Sequence, residues 1–258
     1  MAVVGCGTSV FIGESYARLR EEAGQGVTDA HLPTEFPWRD YDRVILLSRS
    51  GTTTEVERLA QELAERGIRT VLITSVAGGP IAPHVATEIV LDYAGEQSVV
   101  QTRFATSAWV FLTAALGIDT ASVVSDVERA LAWPLDPDWV RADQITFLGE
   151  GLAIGLAHEA ALKCREASQS WTESYSAMDY RHGPISIAQP GRVVFFLGAP
   201  PAGLVSQISQ TGADSAVLDL EPLAALVVAQ RLAVARSQAA GFDPDRPRNL
   251  TRAVILGA

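Results

Sequence analysis

Two short glycine loops rich in hydroxyl side chains constrain the fold of this chain most strongly. Residues 5–9 have the sequence GCGTS and follow the apolar run 2–4, whereas residues 48–54 have the sequence SRSGTTT and follow the apolar run 44–47. A segment with helical character begins after each loop. A buried strand, a glycine loop and a helix start in succession indicate a parallel α/β fold.

The composition of the second loop indicates an anion site. Six of the seven residues from 48 to 54 are Ser, Gly or Thr, which is more than a turn needs. Backbone N–H groups, the helix dipole and hydroxyl groups can hold a phosphate without lysine. The alternative is a simple helix cap, because Thr52 and Glu55 fit a capping box. Because the chain contains two such loops, we favour phosphate binding over a simple helix cap.

The sequence lacks two nucleotide-binding motifs, which limits the kinds of ligand that the loops are expected to bind. The sequence contains no G-x-x-x-x-G-K-[ST], so a nucleotide-hydrolysing P-loop is excluded. Val10 stands where a dinucleotide-binding motif needs its third glycine, which argues against a nicotinamide cofactor. We therefore expect no cofactor and a small phosphorylated metabolite as ligand.

Composition and charge exclude other classes of partner. The 258 residues are 48% hydrophobic and carry a net charge of −10, which favours a large core and disfavours nucleic acid. No apolar run reaches the roughly 18 residues of a membrane span. Two cysteines and four scattered histidines show no metal-ligand spacing. Without a basic N-terminal region, the chain is predicted to be cytoplasmic.

Apolar periodicity predicts alternating strands and helices in the first part of the chain. The predicted strands are 2–5, 43–47, 69–74 and 87–91, and the predicted helices are 9–22, 54–66 and 98–116. Helix 54–66 is amphipathic and is expected to end at Gly67. Helix 98–116 is apolar nearly all round, which predicts either a core position or a subunit interface.

The pattern then restarts after a linker. Residues 121–143 contain a short helical segment and the breaker cluster WPLDP, and residues 145–151 repeat the strand and glycine loop of the N-terminus. The remaining predicted elements are helix 152–168, strand 192–197, helix 203–211, strand 215–219 and helix 222–240. The sequence thus predicts a duplicated α/β chain: a phosphate-binding domain (1–120), a linker (121–143) and a second domain with the C-terminal tail (144–258).

Five motifs in this order resemble the sugar isomerase (SIS) family, and within it the isomerase half of glucosamine-6-phosphate synthase. They are GCGTS at 5–9, SRSGTT at 48–53, EAALKCRE at 159–166, RHGP at 181–184 and DRPRNL at 245–250. The resemblance extends over essentially the whole chain. It implies two SIS-type three-layer domains, each a flavodoxin-like parallel sheet covered by helices, and a sugar phosphate as substrate.

The resemblance also implies roles for individual residues. Residues at the sugar phosphate would be Gly7, Thr8, Ser9, Ser48, Arg49, Ser50, Gly51, Thr53, Val99, Gln101 and Arg252. Glu166 matches the carboxylate that moves a proton between C1 and C2, and Lys163 matches a lysine beside that carboxylate. His182 matches a ring-opening histidine that the neighbouring subunit supplies, which implies a homodimer with a shared active site.

The residue chemistry agrees with these roles. On helix 152–168, Glu159, Lys163 and Glu166 fall at positions i, i+4 and i+7, on one face. A carboxylate next to an ammonium can act as a base, and a histidine can open a hemiacetal. The alternative is an ordinary surface ion pair between Lys163 and Glu166. A loop histidine before a turn is the alternative for His182.

This sequence differs from the synthase at two points that limit which reactions we expect it to catalyse. The chain begins Met1-Ala2, without the cysteine-nucleophile glutaminase domain, so no glutaminase activity is expected. Arg252 appears at the position of a Schiff-base lysine, and a guanidinium cannot form that imine. We therefore predict C1/C2 proton transfer on a hexose or hexosamine 6-phosphate, as isomerisation or deamination. A fructosamine 6-phosphate deglycase and a non-catalytic phosphosugar sensor are the alternatives.

Overall fold

The computed structural model describes residues 1–257, which form two compact units with one parallel sheet each. The first unit comprises Met1–Ile118 and the tail from Thr251 to residue 257, and the second comprises Asp119–Leu250. Helices flank both sheets, so the α/β class predicted from the sequence is confirmed. No helix among residues 1–257 is long and apolar enough to cross a membrane.

The first unit is built on a five-stranded sheet with the order β2-β1-β3-β4-β5. Its strands are β1 (Ala2–Gly5), β2 (Asp29–His31), β3 (Val44–Leu47), β4 (Thr70–Thr74) and β5 (Thr87–Val90). Its helices are α1 (Thr8–Glu22), α2 (Thr54–Glu65) and α3 (Arg103–Ala115). Strands β1 and β3 are parallel neighbours, and Gly5 is in register with Leu47. The two glycine loops consequently leave the sheet side by side, at the switch point where α/β sheets bind ligands.

Apolar strands and one face of α2 form the core of the first unit. Val56, Leu59 and Leu63 of α2 are buried in one hydrophobic cluster with Leu46 and Leu72 of the sheet. The amphipathic pattern predicted this burial. Helix α2 ends at Glu65, and Gly67 has the left-handed φ of +69° expected after a helix end.

The second unit contains a four-stranded parallel sheet with the order β7-β6-β8-β9. Its strands are β6 (Gln144–Gly149), β7 (Thr172–Ser176), β8 (Arg192–Phe196) and β9 (Asp214–Ala216). Its helices are α4 (Ala121–Leu131), α5 (Pro137–Arg141), α6 (Ala153–Ser168), α7 (Leu204–Gln210) and α8 (Pro222–Ala239). Helix α8 is buried on most of its surface because it packs against both α4 and α6.

The structure differs from the predicted elements most at three places, and strand β9 also ends at Ala216 instead of residue 219. Strands β2 and β7 were not predicted, and helix α3 begins at Arg103 instead of residue 98. The Glu96 carboxylate accepts hydrogen bonds from the N–H groups of Thr102 and Arg103, and these contacts fix the helix start. Helix α3 buries one face against α1 and leaves Phe111 half-buried, so it is not enclosed by the core.

The observed units also divide the chain differently from the predicted domains. The segment 121–143 forms α4 and α5, which belong to the second unit, and is not a separate linker. The tail from Thr251 belongs to the first unit, because its backbone is hydrogen-bonded to Arg49 and Thr54. These bonds join residues about 200 positions apart, so local sequence patterns could not indicate them.

Candidate functional site

The loop at residues 48–54 connects β3 to α2 and is shaped by its own polar groups. Gly51 has a φ of +67°, and its N–H donates to the carbonyl of Ser48. The Thr52 hydroxyl donates to Ser50 Oγ at 2.9 Å. The N-cap of α2 is Thr53, without a side-chain cap, so the capping box of Thr52 and Glu55 does not form. The hydroxyls of this loop are therefore not explained as a helix cap.

Ser48 has the environment of a ligand-binding hydroxyl. Its side chain is only 3% exposed, and its Oγ has no hydrogen-bond partner among the described residues. A buried hydroxyl without a partner is costly, so native proteins seldom keep one without a reason. An anion bound in the loop would supply the missing acceptor.

The first glycine loop brings α1 close to this position. Gly7 precedes α1 with a φ of +54°, and Thr8 and Ser9 at the helix start are both buried. A Cβ on Gly5 would lie 2.5 Å from Ser9 Cβ, so only glycine permits this approach of the helix to the strand. The structure therefore brings both predicted phosphate-binding loops to one edge of the same sheet.

The Arg49 side chain is buried and contacts segments outside the loop that contains it. Its guanidinium donates to the backbone carbonyls of Ser98, Val99 and Arg252 at 2.9–3.0 Å. It also lies 3.6 Å from a carboxylate oxygen of Glu96. No sequence motif indicates that Glu96 takes part in this arrangement.

The segment predicted to line the sugar lies next to Arg49. Val99 and Gln101 are half-buried, and Gln101 Oε1 is enclosed without a hydrogen-bond partner among the described residues. The Arg252 side chain is exposed, although its backbone carbonyl is bound by Arg49. All predicted phosphate- and sugar-binding residues thus belong to the first unit.

The C-terminal tail runs along the first turn of α2. The N–H of Thr54 donates to the carbonyl of Val254 at 3.2 Å, and the N–H of Leu256 donates to Thr54 Oγ1 at 3.0 Å. The tail therefore satisfies a backbone donor that a helix start otherwise leaves open. No sequence motif marked this contact.

The second unit holds the predicted catalytic carboxylate and lysine together on α6. Lys163 Nζ lies 2.5 Å from Glu166 Oε2 and 3.4 Å from Glu159 Oε1. Lys163 and Glu159 are fully buried, whereas the Glu166 side chain is 20% exposed. An ordinary surface ion pair, the alternative from the sequence, does not describe a buried lysine between two carboxylates. A buried charge requires such pairing, and Glu166 is its solvent-accessible member.

His182 lies on a different element from this pair. It ends the 3-10 turn Asp179–His182 that follows β7, and its side chain is exposed. The neighbouring Arg181 donates to the Gln207 side chain and to the carbonyl of Ala202, which anchors the turn to the unit. An exposed histidine on an anchored turn is accessible to another molecule.

The two cysteines do not have the properties of nucleophiles. Burial, followed by the nearby Glu55 carboxylate, raises the pKa of Cys6 to about 11. Burial raises the pKa of Cys164 to about 12. Both thiols are therefore protonated at neutral pH. Among residues 1–257, no group of His, Cys, Asp or Glu could hold a metal ion.

Comparison with known sequences identifies relatives across the chain. The SIS domain family model matches residues 1–116. Glutamine–fructose-6-phosphate aminotransferase (isomerizing) of Corynebacterium efficiens is 26% identical, over 98% of this chain and 51% of its own length. The enzyme of the same name from Pyrobaculum aerophilum is 27% identical, over 98% and 51%. The chain thus spans about half the length of these curated relatives.

Solved structures share the fold over nearly all of the chain. Glucosamine-6-phosphate deaminase from Thermotoga maritima gives a TM-score of 0.85 at 24% identity, covering 99% of this chain and 90% of that one. Tagatose-6-phosphate ketose/aldose isomerase from Escherichia coli gives 0.80 at 19% identity, covering 95% and 83%. At these identities the likeness establishes the fold.

Proposed function

Because residues 1–116 carry a SIS domain and the chain is homologous to part of the aminotransferases, we propose that this protein is a phosphosugar enzyme. Its reaction is a proton transfer between C1 and C2 of a hexose or hexosamine 6-phosphate. The observation that carries the proposal is the pairing of Lys163 with a partly exposed Glu166 on α6. A protein that only senses a sugar has no need of a buried ammonium next to an accessible carboxylate.

The phosphate is proposed to bind at the loop 48–54. Support comes from the Ser48 hydroxyl, which has no hydrogen-bond partner in the described part of the chain, from the burial of Ser9, and from the register that places both glycine loops at one sheet edge. Ser50 and Thr53 supply further hydroxyls in the same loop. Hydrogen bonds to a charged phosphate contribute about 1.5–3 kcal/mol each.

Glu166 is proposed as the base that moves the proton. The carboxylate takes the C2 proton of an open-chain aldose phosphate and returns it to C1 of the resulting enediol. Lys163 holds the carboxylate in position through its short contact. With an amino group at C2, the same shift leaves an imine, which water hydrolyses with release of ammonia. Isomerisation and deamination therefore need the same base.

His182 is proposed to open the sugar ring. Its exposure within its own unit supports the idea that it serves a neighbouring subunit, as a homodimer with a shared site requires. We also propose that the second unit is a second SIS-type domain, since its parallel sheet and glycine loop repeat features of the first. A sedimentation experiment that finds a fully active monomer at assay concentration excludes the shared site.

Among the specific reactions, we favour isomerisation or deamination over the amination that the aminotransferases' name describes. The exposed Arg252, at the position of the Schiff-base lysine, cannot form an imine. The fold shared with a glucosamine-6-phosphate deaminase and a tagatose-6-phosphate isomerase accords with this choice. A fructosamine 6-phosphate deglycase is the second candidate, because Arg252 leaves its chemistry intact.

The proposal is tested with a panel of ligands. Glucose, fructose, glucosamine and tagatose 6-phosphates should raise the melting temperature, whereas glucosamine without phosphate should not. Each stabilising compound is then incubated with the protein and followed by proton NMR and an ammonia assay. A fructosamine 6-phosphate is included in the same panel. Conversion of any one compound supports an enzyme. Stabilisation by several compounds without conversion of any of them identifies a sensor instead.

A further inference from the structure

Arg49 lies in the middle of the loop 48–54, but its side chain serves other segments. The guanidinium is 2% exposed and binds carbonyls from two stretches of chain, Ser98 and Val99 in one and Arg252 in the other. The planar donor fork of arginine allows one side chain to hold several acceptors at once. Arg49 thus connects the phosphate loop with the sugar-lining segment and with the C-terminal tail.

Glu96 extends this connection to helix α3. Its carboxylate accepts hydrogen bonds from the Thr102 N–H and hydroxyl and from the Arg103 N–H, and it lies 3.6 Å from the Arg49 guanidinium. The carboxylate balances the buried charge of Arg49 and caps the helix at the same time. The position of segment 98–101, which contains Gln101, consequently depends on both side chains.

The tail is held by its backbone and hardly by apolar burial. Ile255 is 71% exposed, and Val254 and Leu256 are about half exposed, so their side chains contribute little hydrophobic stabilisation. Three hydrogen bonds hold the tail: the Arg252 carbonyl accepts from Arg49, the Val254 carbonyl accepts from the Thr54 N–H, and the Leu256 N–H donates to Thr54 Oγ1. All three anchors are made by residues of the phosphate loop and the first residue of α2. A change in that loop would therefore alter the hydrogen bonds that hold the tail.

We propose that Arg49 is a positioning residue that couples phosphate binding to the docking of the C-terminal tail and of segment 98–101. It acts through its side chain on these segments, whereas its backbone shapes the loop that receives the phosphate. This inference rests on the proposed function only for the nature of the ligand. The connection of loop, segment and tail through Arg49 exists without a ligand and is testable without one.

Hydrogen exchange followed by mass spectrometry tests the coupling in the unliganded protein. Arg49→Met keeps much of the side-chain volume but removes every donor. We expect exchange of residues 252–257 and 96–104 to accelerate at least about tenfold, while strands β1 and β3 stay protected. Arg49→Lys retains the charge but not the fork, and should accelerate the same segments less. If Arg49→Met does not fold, Arg49→Lys alone decides.

Two matched variants distinguish the specific effect of an Arg49 substitution from a general loss of protection against hydrogen exchange. Thr54→Val removes only the Leu256 anchor, so exchange should rise at 254–257 and not at 96–104. Arg20→Met removes an arginine that binds the Gly26 carbonyl and the Thr28 hydroxyl, and should affect only the chain near residues 24–28. Exchange of the tail and of 96–104 that is unchanged in both Arg49 variants would overturn the inference.

A second set of exchange measurements adds glucosamine 6-phosphate as the probe. In the natural protein it should slow exchange at 48–54 and at 252–257 together. In Arg49→Met it should slow exchange at 48–54 only, and protection of the tail in that variant refutes the coupling. Absence of any protection at 48–54 in the natural protein contradicts the phosphate site of the proposed function, whereas the unliganded comparison still decides the role of Arg49.

Discussion

Ser48→Ala is the substitution for which the structure makes the sharpest forecast. The Ser48 hydroxyl is buried and has no hydrogen-bond partner within residues 1–257, so removing it breaks no hydrogen bond to that part of the chain. Leaving a buried polar group unsatisfied costs about 1–3 kcal/mol. We therefore expect the free energy of unfolding to stay the same or to rise by up to about 1 kcal/mol, the lower end of that range. Most buried substitutions destabilise, so this sign is informative.

The affinity for sugar phosphate should fall in Ser48→Ala, although its stability does not. If Ser48 donates to a phosphate oxygen, its loss removes one charge-assisted hydrogen bond of about 1.5–3 kcal/mol. That range corresponds to a Kd for glucosamine 6-phosphate or another stabilising sugar phosphate that is about 10- to 150-fold higher. The measurements are urea unfolding without ligand and titration calorimetry with it.

Ser15→Ala provides a matched control in the same unit. Ser15 is also a buried serine, but its hydroxyl accepts a hydrogen bond from Trp109 Nε1 at 2.8 Å. Removal of the Ser15 hydroxyl leaves the buried Trp109 indole N–H without an acceptor. We expect this to lower the free energy of unfolding by about 1–3 kcal/mol without changing the affinity for sugar phosphate. The assignment of Ser48 is wrong if Ser48→Ala destabilises as much as Ser15→Ala and leaves the affinity unchanged.

Two further substitutions and one alkylation reaction test the helix cap at α3, the packing of the loop 48–54 and the environment of Cys6. Glu96→Ala removes the carboxylate at the start of α3 and should lower the free energy of unfolding by about 1–2 kcal/mol in urea; an unchanged midpoint would refute its capping role. Gly79→Ala places a Cβ 2.6 Å from the Gly51 carbonyl oxygen, so melting temperature and sugar-phosphate affinity should both fall, and calorimetry showing neither would contradict the tight packing of the loop. Because burial raises the pKa of Cys6 to about 11, its alkylation by iodoacetamide at pH 8 should be about 100-fold slower than that of a free thiol and still rise above pH 10; rapid alkylation at pH 8 excludes the raised pKa.

The parts of the fold that the sequence predicts are those with local signals. Strands β1 and β3 are continuous apolar runs, and α2 has a clear amphipathic period, so their positions agree with the structure within a residue or two. Strands β2 and β7 lie at sheet edges and have the polar sequences DAH and TESYS, which resemble loops. The sequence signal of a strand therefore comes from its apolar residues, which β2 and β7 largely lack.

The site shows the same division. The hydroxyl-rich loops and the helical spacing of Lys163 and Glu166 are visible in the sequence, because they depend on neighbouring residues. The direction of the Arg49 side chain and the docking of the tail depend on contacts 49 to 203 positions apart. The complete burial of Lys163 depends likewise on tertiary packing, so the surface ion pair remained an alternative until the structure was known.

Proton exchange by the Glu166→Gln variant decides whether Glu166 is the group that transfers the proton. Glutamine preserves the size of the side chain but cannot accept the proton. The natural protein and the variant are each incubated in deuterated water with glucosamine 6-phosphate and with fructose 6-phosphate, and deuterium at C1 and C2 is followed by NMR. We expect exchange by the natural protein, a loss of at least about 1,000-fold in the variant, and retained stabilisation by the ligand. Full exchange and turnover by Glu166→Gln would contradict the claim that Glu166 transfers the proton.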